Sequence, residues 1–110
     1  MKTVIFLDDY RKPEQCFDTS QCMVFCAATF DEFVDVLNKT YHEYKRVDEI
    51  WFDHDLGENA STGYDCAKYL VEFCIEHNMD LPDYYIQSNN PAGKLNIDSY
   101  LKSFLKSLNI

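Results

Sequence analysis

Two short apolar runs in this chain end abruptly in carboxylates, and that abruptness limits what it can fold into. Thr3-Val4-Ile5-Phe6-Leu7 runs into Asp8 and Asp9, and Ile50-Trp51-Phe52 runs into Asp53, His54 and Asp55. An unbroken run of β-branched and apolar residues suits a strand covered on both faces, as in a parallel sheet. Two such strands lying side by side would crowd Asp8, Asp9 and Asp53 together at their tips. A cluster of that kind repels itself unless a cation or shared protons neutralise it, so the pattern points to a hard metal site.

The rest of the chain supplies the alternation a parallel sheet needs. After Asp9, the charges of Arg11 and Lys12 and then Pro13 stop the first strand, and Pro13 opens at most a short helical turn through Phe17. Gln21 to Ala27 reads as a second strand. Thr29 and Glu32 form a capping box for a helix over 30–44, with Phe33, Val34, Leu37 and Tyr41 on its apolar face. Arg46 to Glu49 reads as a polar linker into the third strand, and 57–61, with Glu58 and Asn59, as a polar loop. Thr62 and Asp65 cap a helix ending near Asn78, with Ala67, Leu70, Val71, Cys74 and Ile75 as its stripe. Asp83 to Ser88 reads as a fourth strand, and Ser88-Asn89-Asn90-Pro91 opens a last helix facing inward with Tyr100, Leu101, Phe104, Leu105 and Leu108. Strands alternating with helices predict a parallel sheet with right-handed crossovers and helices on both faces. Ligands in such sheets sit beyond the carboxyl ends of the strands, where Asp8-Asp9, Asp53-His54-Asp55 and Ser88-Asn89-Asn90 all fall.

Length and charge narrow the function classes. The 110 residues fit one domain, and a formal charge of −9 argues against an extended nucleic-acid-binding surface. No apolar run reaches membrane-spanning length, and a strand-like segment starts within three residues of Met1, so a soluble cytoplasmic protein is expected. The five cysteines are odd in number and none are spaced C-x-x-C, which argues against zinc and disulfides and for buried free thiols.

Leu7-Asp8-Asp9 with Arg11 and Pro13, Asp53-His54-Asp55-Leu56-Gly57, Thr62-Gly63-Tyr64-Asp65, and Ser88 with Asn90-Pro91 and Gly93 together resemble one family. It is the cyclic-phosphate-processing receiver-like family, a divergent relative of the receiver domains of two-component signalling. The resemblance implies an α/β, three-layer Rossmann-like fold of the receiver or flavodoxin type, with about four parallel strands flanked by helices. It also implies action on cyclic phosphates such as the 2′,3′-cyclic ends of RNA or nucleotides. The chain departs from the family at Gln87, where a His is usual, and at Lys94, where an Arg is usual. Lysine keeps the charge but loses bidentate phosphate geometry.

The expected site follows. Asp8, Asp9 and Asp53 hold Mg²⁺ or Mn²⁺ in an all-oxygen shell. Asp55 either completes that shell or caps the next loop. His54 either points away from Asp53 beneath a helix or swings in as general acid or base, alongside Asp53 and Ser88 as catalytic groups. Arg11, Asn90, Lys94 and Thr62 are the candidates for binding substrate. The leading expectation is a metal-dependent phosphoesterase acting on a small phosphorylated ligand or an RNA end. The rivals are a receiver phosphorylated on Asp53 and a silent module that binds a phosphorylated ligand or a protein.

Overall fold

The computed structural model describes residues 1–56 and 61–108. The elements run β1 (Lys2–Leu7), a single 3-10 turn (Pro13–Gln15), β2 (Cys22–Ala27), α1 (Phe30–Tyr44), β3 (Glu49–Phe52), α2 (Gly63–His77), β4 (Asp83–Ile86) and α3 (Pro91–Ser107). The strands form one parallel sheet in the order β2-β1-β3-β4, with Phe6 opposite Trp51 and Trp51 opposite Tyr85. The receiver-like α/β architecture is therefore the one expected. The expected loop over 57–61 lies, apart from Ser61, outside the described residues.

Topology decides which face each helix covers. The steps from β2 to β3 and from β3 to β4 cross the sheet in the same direction, so right-handed connections put α1 and α2 on one face. Accordingly Ile5, Leu7, Ile50 and Phe52 share a single core with Phe33 and Leu37 of α1, Leu70 of α2, and Ile97 and Leu101 of α3. The step from β1 to β2 runs the other way, and its connection holds the Pro13–Gln15 turn in place of an α-helix. On that second face Phe17 stacks on Trp51 at 4.7 Å, and Trp51 stacks on Tyr85 at 4.6 Å. Helices on both faces thus reduce to three α-helices on one and an aromatic-capped loop on the other.

The helix ends carry the caps their sequences promise. Thr29 accepts from the Glu32 amide, and Thr62 and Asp65 form a reciprocal capping box. Lys45 and Asn78, both left-handed, close α1 and α2. Four expectations are corrected. Ile75 is 66% exposed, because Phe73, packed on Tyr41 at 5.4 Å, takes the inward position. Leu105 and Leu108 are exposed, because α3 is the outermost helix and buries only a narrow arc through Ile97 and Leu101. Glu49 belongs to β3 and is buried, its carboxylate satisfied by the Trp51 indole at 2.7 Å and by Lys2 at 3.2 Å. All five cysteines are free, but only Cys66 and Cys74 are buried and Cys26 is exposed. Among the described residues no helix is long and apolar enough to cross a membrane.

Candidate functional site

Strand register brings the acids together. Asp8 follows β1 and Asp53 follows β3, and the Asp53 amide donates to the Leu7 carbonyl, so the two residues leave the sheet side by side. Asp8, Asp9 and Asp53 each offer a carboxylate oxygen within 4.8 Å of the others. Asp8 and Asp53 are buried while Asp9 faces solvent.

Asp8 is held from several directions. The amides of Tyr10 and Arg11 donate to its Oδ1, each at 2.8 Å. Arg11 Nη1 and Gln87 Nε2 donate to its Oδ2 at 3.1 and 3.2 Å. The same Arg11 nitrogen lies 3.9 Å from Asp53 Oδ1, and both Asp8 and Asp53 raise its pKa, the hydrogen bond to Asp8 most of all. Among the described residues Asp53 has no comparable set of donors. Burial first and the charge of Asp8 second push its carboxyl up to about 6, against the opposing pull of Arg11.

The residues fit a divalent cation. Three carboxylates against one guanidinium leave an excess of negative charge, and every donor is a hard oxygen. Gln87 gives a second sign. Its Nε2 binds the Leu7 carbonyl and Asp8, while its Oε1 is buried with no partner among the described residues. An orphaned acceptor costs free energy that a donor on a hydrated ion would recover.

The other expected site residues gather elsewhere. Asp55 does not join the cluster: its Oδ1 accepts from His54 Nδ1 at 2.9 Å and from Asn90 Nδ2 at 3.4 Å. The His54 contact, first among causes, holds the Asp55 carboxyl below its ordinary range. The His54 ring lies under the first turn of α3, so close to Gly93 that a Cβ there would collide with it. None of the described hydrogen bonds joins that ring to Asp8, Asp9 or Asp53, so of its two readings the structure takes the one beneath a helix. Alternation explains this, since His54 leaves the strand on the side opposite Asp53.

Asn90 is the N-cap of α3, its Oδ1 accepting from the Gly93 amide at 3.0 Å, and Ser88 Oγ accepts from the Asn90 amide at 3.1 Å. Thr62 is occupied as the cap of α2. Lys94 is exposed and lines a cleft beside β4 instead of facing the acids. Two contacts escaped the sequence reading. Gln87 reaches Asp8, which its position two residues after Tyr85 on the aromatic face could have signalled. Gly63 lies against the backbone of Asp53, where a Cβ would be driven into the carbonyl oxygen.

Comparison with curated proteins and with solved structures finds no match. The model of one family does match, over residues 3–103, with acids at the ends of β1 and β3 and a parallel receiver-like sheet beneath them. The chain belongs to the cyclic-phosphate processing receiver domain family.

Proposed function

We propose that this protein is a metal-dependent phosphoesterase that opens a cyclic phosphate by hydrolysis. The observation that carries this reading is the convergence of Asp8, Asp9 and Asp53, with one guanidinium beside Asp8 and Asp53. Asp8, Asp9 and Asp53 would hold Mg²⁺ or Mn²⁺. When bound, the ion supplies positive charge that polarises a phosphoryl oxygen. Arg11, already at the cluster, has guanidinium donors beyond the one given to Asp8 and directs them at the phosphoryl oxygens as charge develops. Asp9 is open to solvent and orients the attacking water. Water adds at phosphorus, one ring P–O bond breaks, and the proton the water gives up ends on the departing ribose oxygen, giving a phosphomonoester. Gln87, where the family usually has His, holds the Asp8 carboxylate and moves no proton. His54 braces the start of α3.

The family link to cyclic phosphates supports this reading over a receiver phosphorylated on Asp53. So does the absence, among the described residues, of any lysine paired with the three acids. The deciding experiment is calorimetric titration of Mg²⁺ and Mn²⁺ into the parent and Asp53→Asn, followed by incubation with 2′,3′-cyclic nucleotides. We expect metal binding and ring opening in the parent and neither in the variant. Metal binding without any turnover by the parent would sink the hydrolase and favour a phosphate-binding module.

A further inference from the structure

The sheet ends at β4, and its outer edge is open among the described residues. The amides of Asp83 and Gln87 donate inward to Asp48 and Phe52 of the β3 side. By strand alternation the N–H and C=O groups of Tyr84 and Ile86 therefore point outward, and no described hydrogen bond engages them. Beside them lies a cleft of about 440 Å³ between this edge and the first turns of α3. It is lined by Tyr84, Tyr85, Ile86, Pro91, Lys94 and Leu95, with the Tyr84 ring turned toward α3 and the Tyr85 ring held against Trp51 on the other face. Asp98 closes the base, already committed to the Tyr84 hydroxyl at 3.1 Å and to Lys102 at 2.8 Å.

The lining of the cleft and the surroundings of the acid cluster meet at one peptide bond of β4's end. Ile86 is followed directly by Gln87, whose amide reaches Asp8 Oδ2 at 3.2 Å. α3 is also a basic element in an acidic chain, with Lys94, Lys102 and Lys106 against Asp98 alone, which suits an anionic ligand.

We propose that this cleft is the base subsite of a nucleotide whose cyclic phosphate sits at Asp8, Asp9 and Asp53, a proposal that rests on the phosphoesterase reading. A nucleobase is flat and apolar on its faces, matching Leu95, Pro91 and the ring of Tyr84. Its edge carries a neighbouring donor and acceptor, matching the Tyr84 carbonyl and the Ile86 amide. Lys94, in the cleft's lining, then adds positive charge on the approach to the base subsite. The substrate class narrows to nucleoside cyclic phosphates, with base-free cyclic phosphates handled less well.

The test uses Leu95→Trp, a cleft-filling change at a side chain that is 64% exposed and so free of folding demands. Adenosine titrated into the metal-free parent should shift the amide resonances of Tyr84 and Ile86, and Leu95→Trp should weaken that binding about tenfold, the loss of one stacked base. With metal, the variant's KM for adenosine 2′,3′-cyclic phosphate should rise by a similar factor while hydrolysis of glycerol 1,2-cyclic phosphate is unchanged. Equal effects on both substrates would overturn the base subsite and leave the hydrolase standing. Amide shifts that follow protein concentration instead of adenosine would overturn it too, in favour of edge pairing between two copies. Adenosine binding without hydrolysis of either compound would instead retain the base site and remove the reaction.

Discussion

At the tips of β1 and β3 three carboxylates crowd together with one guanidinium, which reaches two of them, whereas at the start of α3 His54, Asp55 and Asn90 satisfy one another. Asp53 and His54 are adjacent in the chain, yet one belongs to a self-repelling cluster and the other to a paired clamp. A motif can thus be a single string of letters and two different devices in space. The first stores unfavourable charge that a ligand can relieve, and the second fixes the elements that keep the first in place.

Gly63→Ala should break the scaffold most severely, because the new Cβ meets the Asp53 backbone, which cannot step aside as a flexible side chain can. A loss of about 3 kcal/mol in urea unfolding is expected, the upper end for overpacking. A loss below half of that would show that β3 and α2 are less tightly joined than the geometry says.

Asp53→Asn sharpens the contrast from the cluster side. Its carboxyl is held up to about 6, so between the ordinary value near 3.8 and that point the folded protein retains a proton that the unfolded chain has released. The stability this group contributes is complete below its unfolded pKa and is lost as pH rises through about 6. In metal-free protein the loss amounts to roughly 2–3 kcal/mol. The variant should lack that part of the pH slope and be more stable than the parent at pH 7, even as it loses metal binding. Parallel stability curves from pH 4 to 7 would mean that the cluster is not strained.

Asn90→Ala addresses the clamp. Removing the α3 cap should cost about 1 kcal/mol in thermal or urea unfolding, while Mg²⁺ affinity stays within a factor of about two. A large fall in metal affinity would join the two devices into one. Asp55→Asn should do least, since an exposed side chain outside the cluster is being neutralised, and calorimetry should return the parent's metal affinity. Lost affinity there would restore Asp55 as a ligand.

Much of the architecture was legible because it rests on local rules. Apolar runs ending in acids marked β1 and β3, and the capping residues Thr29 and Thr62 marked where α1 and α2 begin. The crowding of Asp8, Asp9 and Asp53 was legible too, because parallel pairing leaves the tips of neighbouring strands no other place to go. Less legible was the division of labour among the polar residues nearby. Ser88, Asn90 and Thr62 are good hydrogen-bonding groups whether they hold a ligand or cap a helix, and composition does not distinguish the two uses. Ile75, Leu105 and Leu108 illustrate the same limit for apolar residues, since periodicity marks a face but not how wide an arc the neighbours will cover.

By itself, then, the sequence determined the alternation of strands and helices, the parallel sheet and the meeting of three acids, all of which follow from backbone periodicity and steric rules acting over a few residues. Only the tertiary structure decided that Arg11 and Gln87 serve Asp8, that His54 turns away to brace α3, and that β4, unpaired on its outer side among the described residues, lies beside a cleft. Those outcomes depend on which side chains from distant segments arrive at the same place, and on which buried donors and acceptors find partners there.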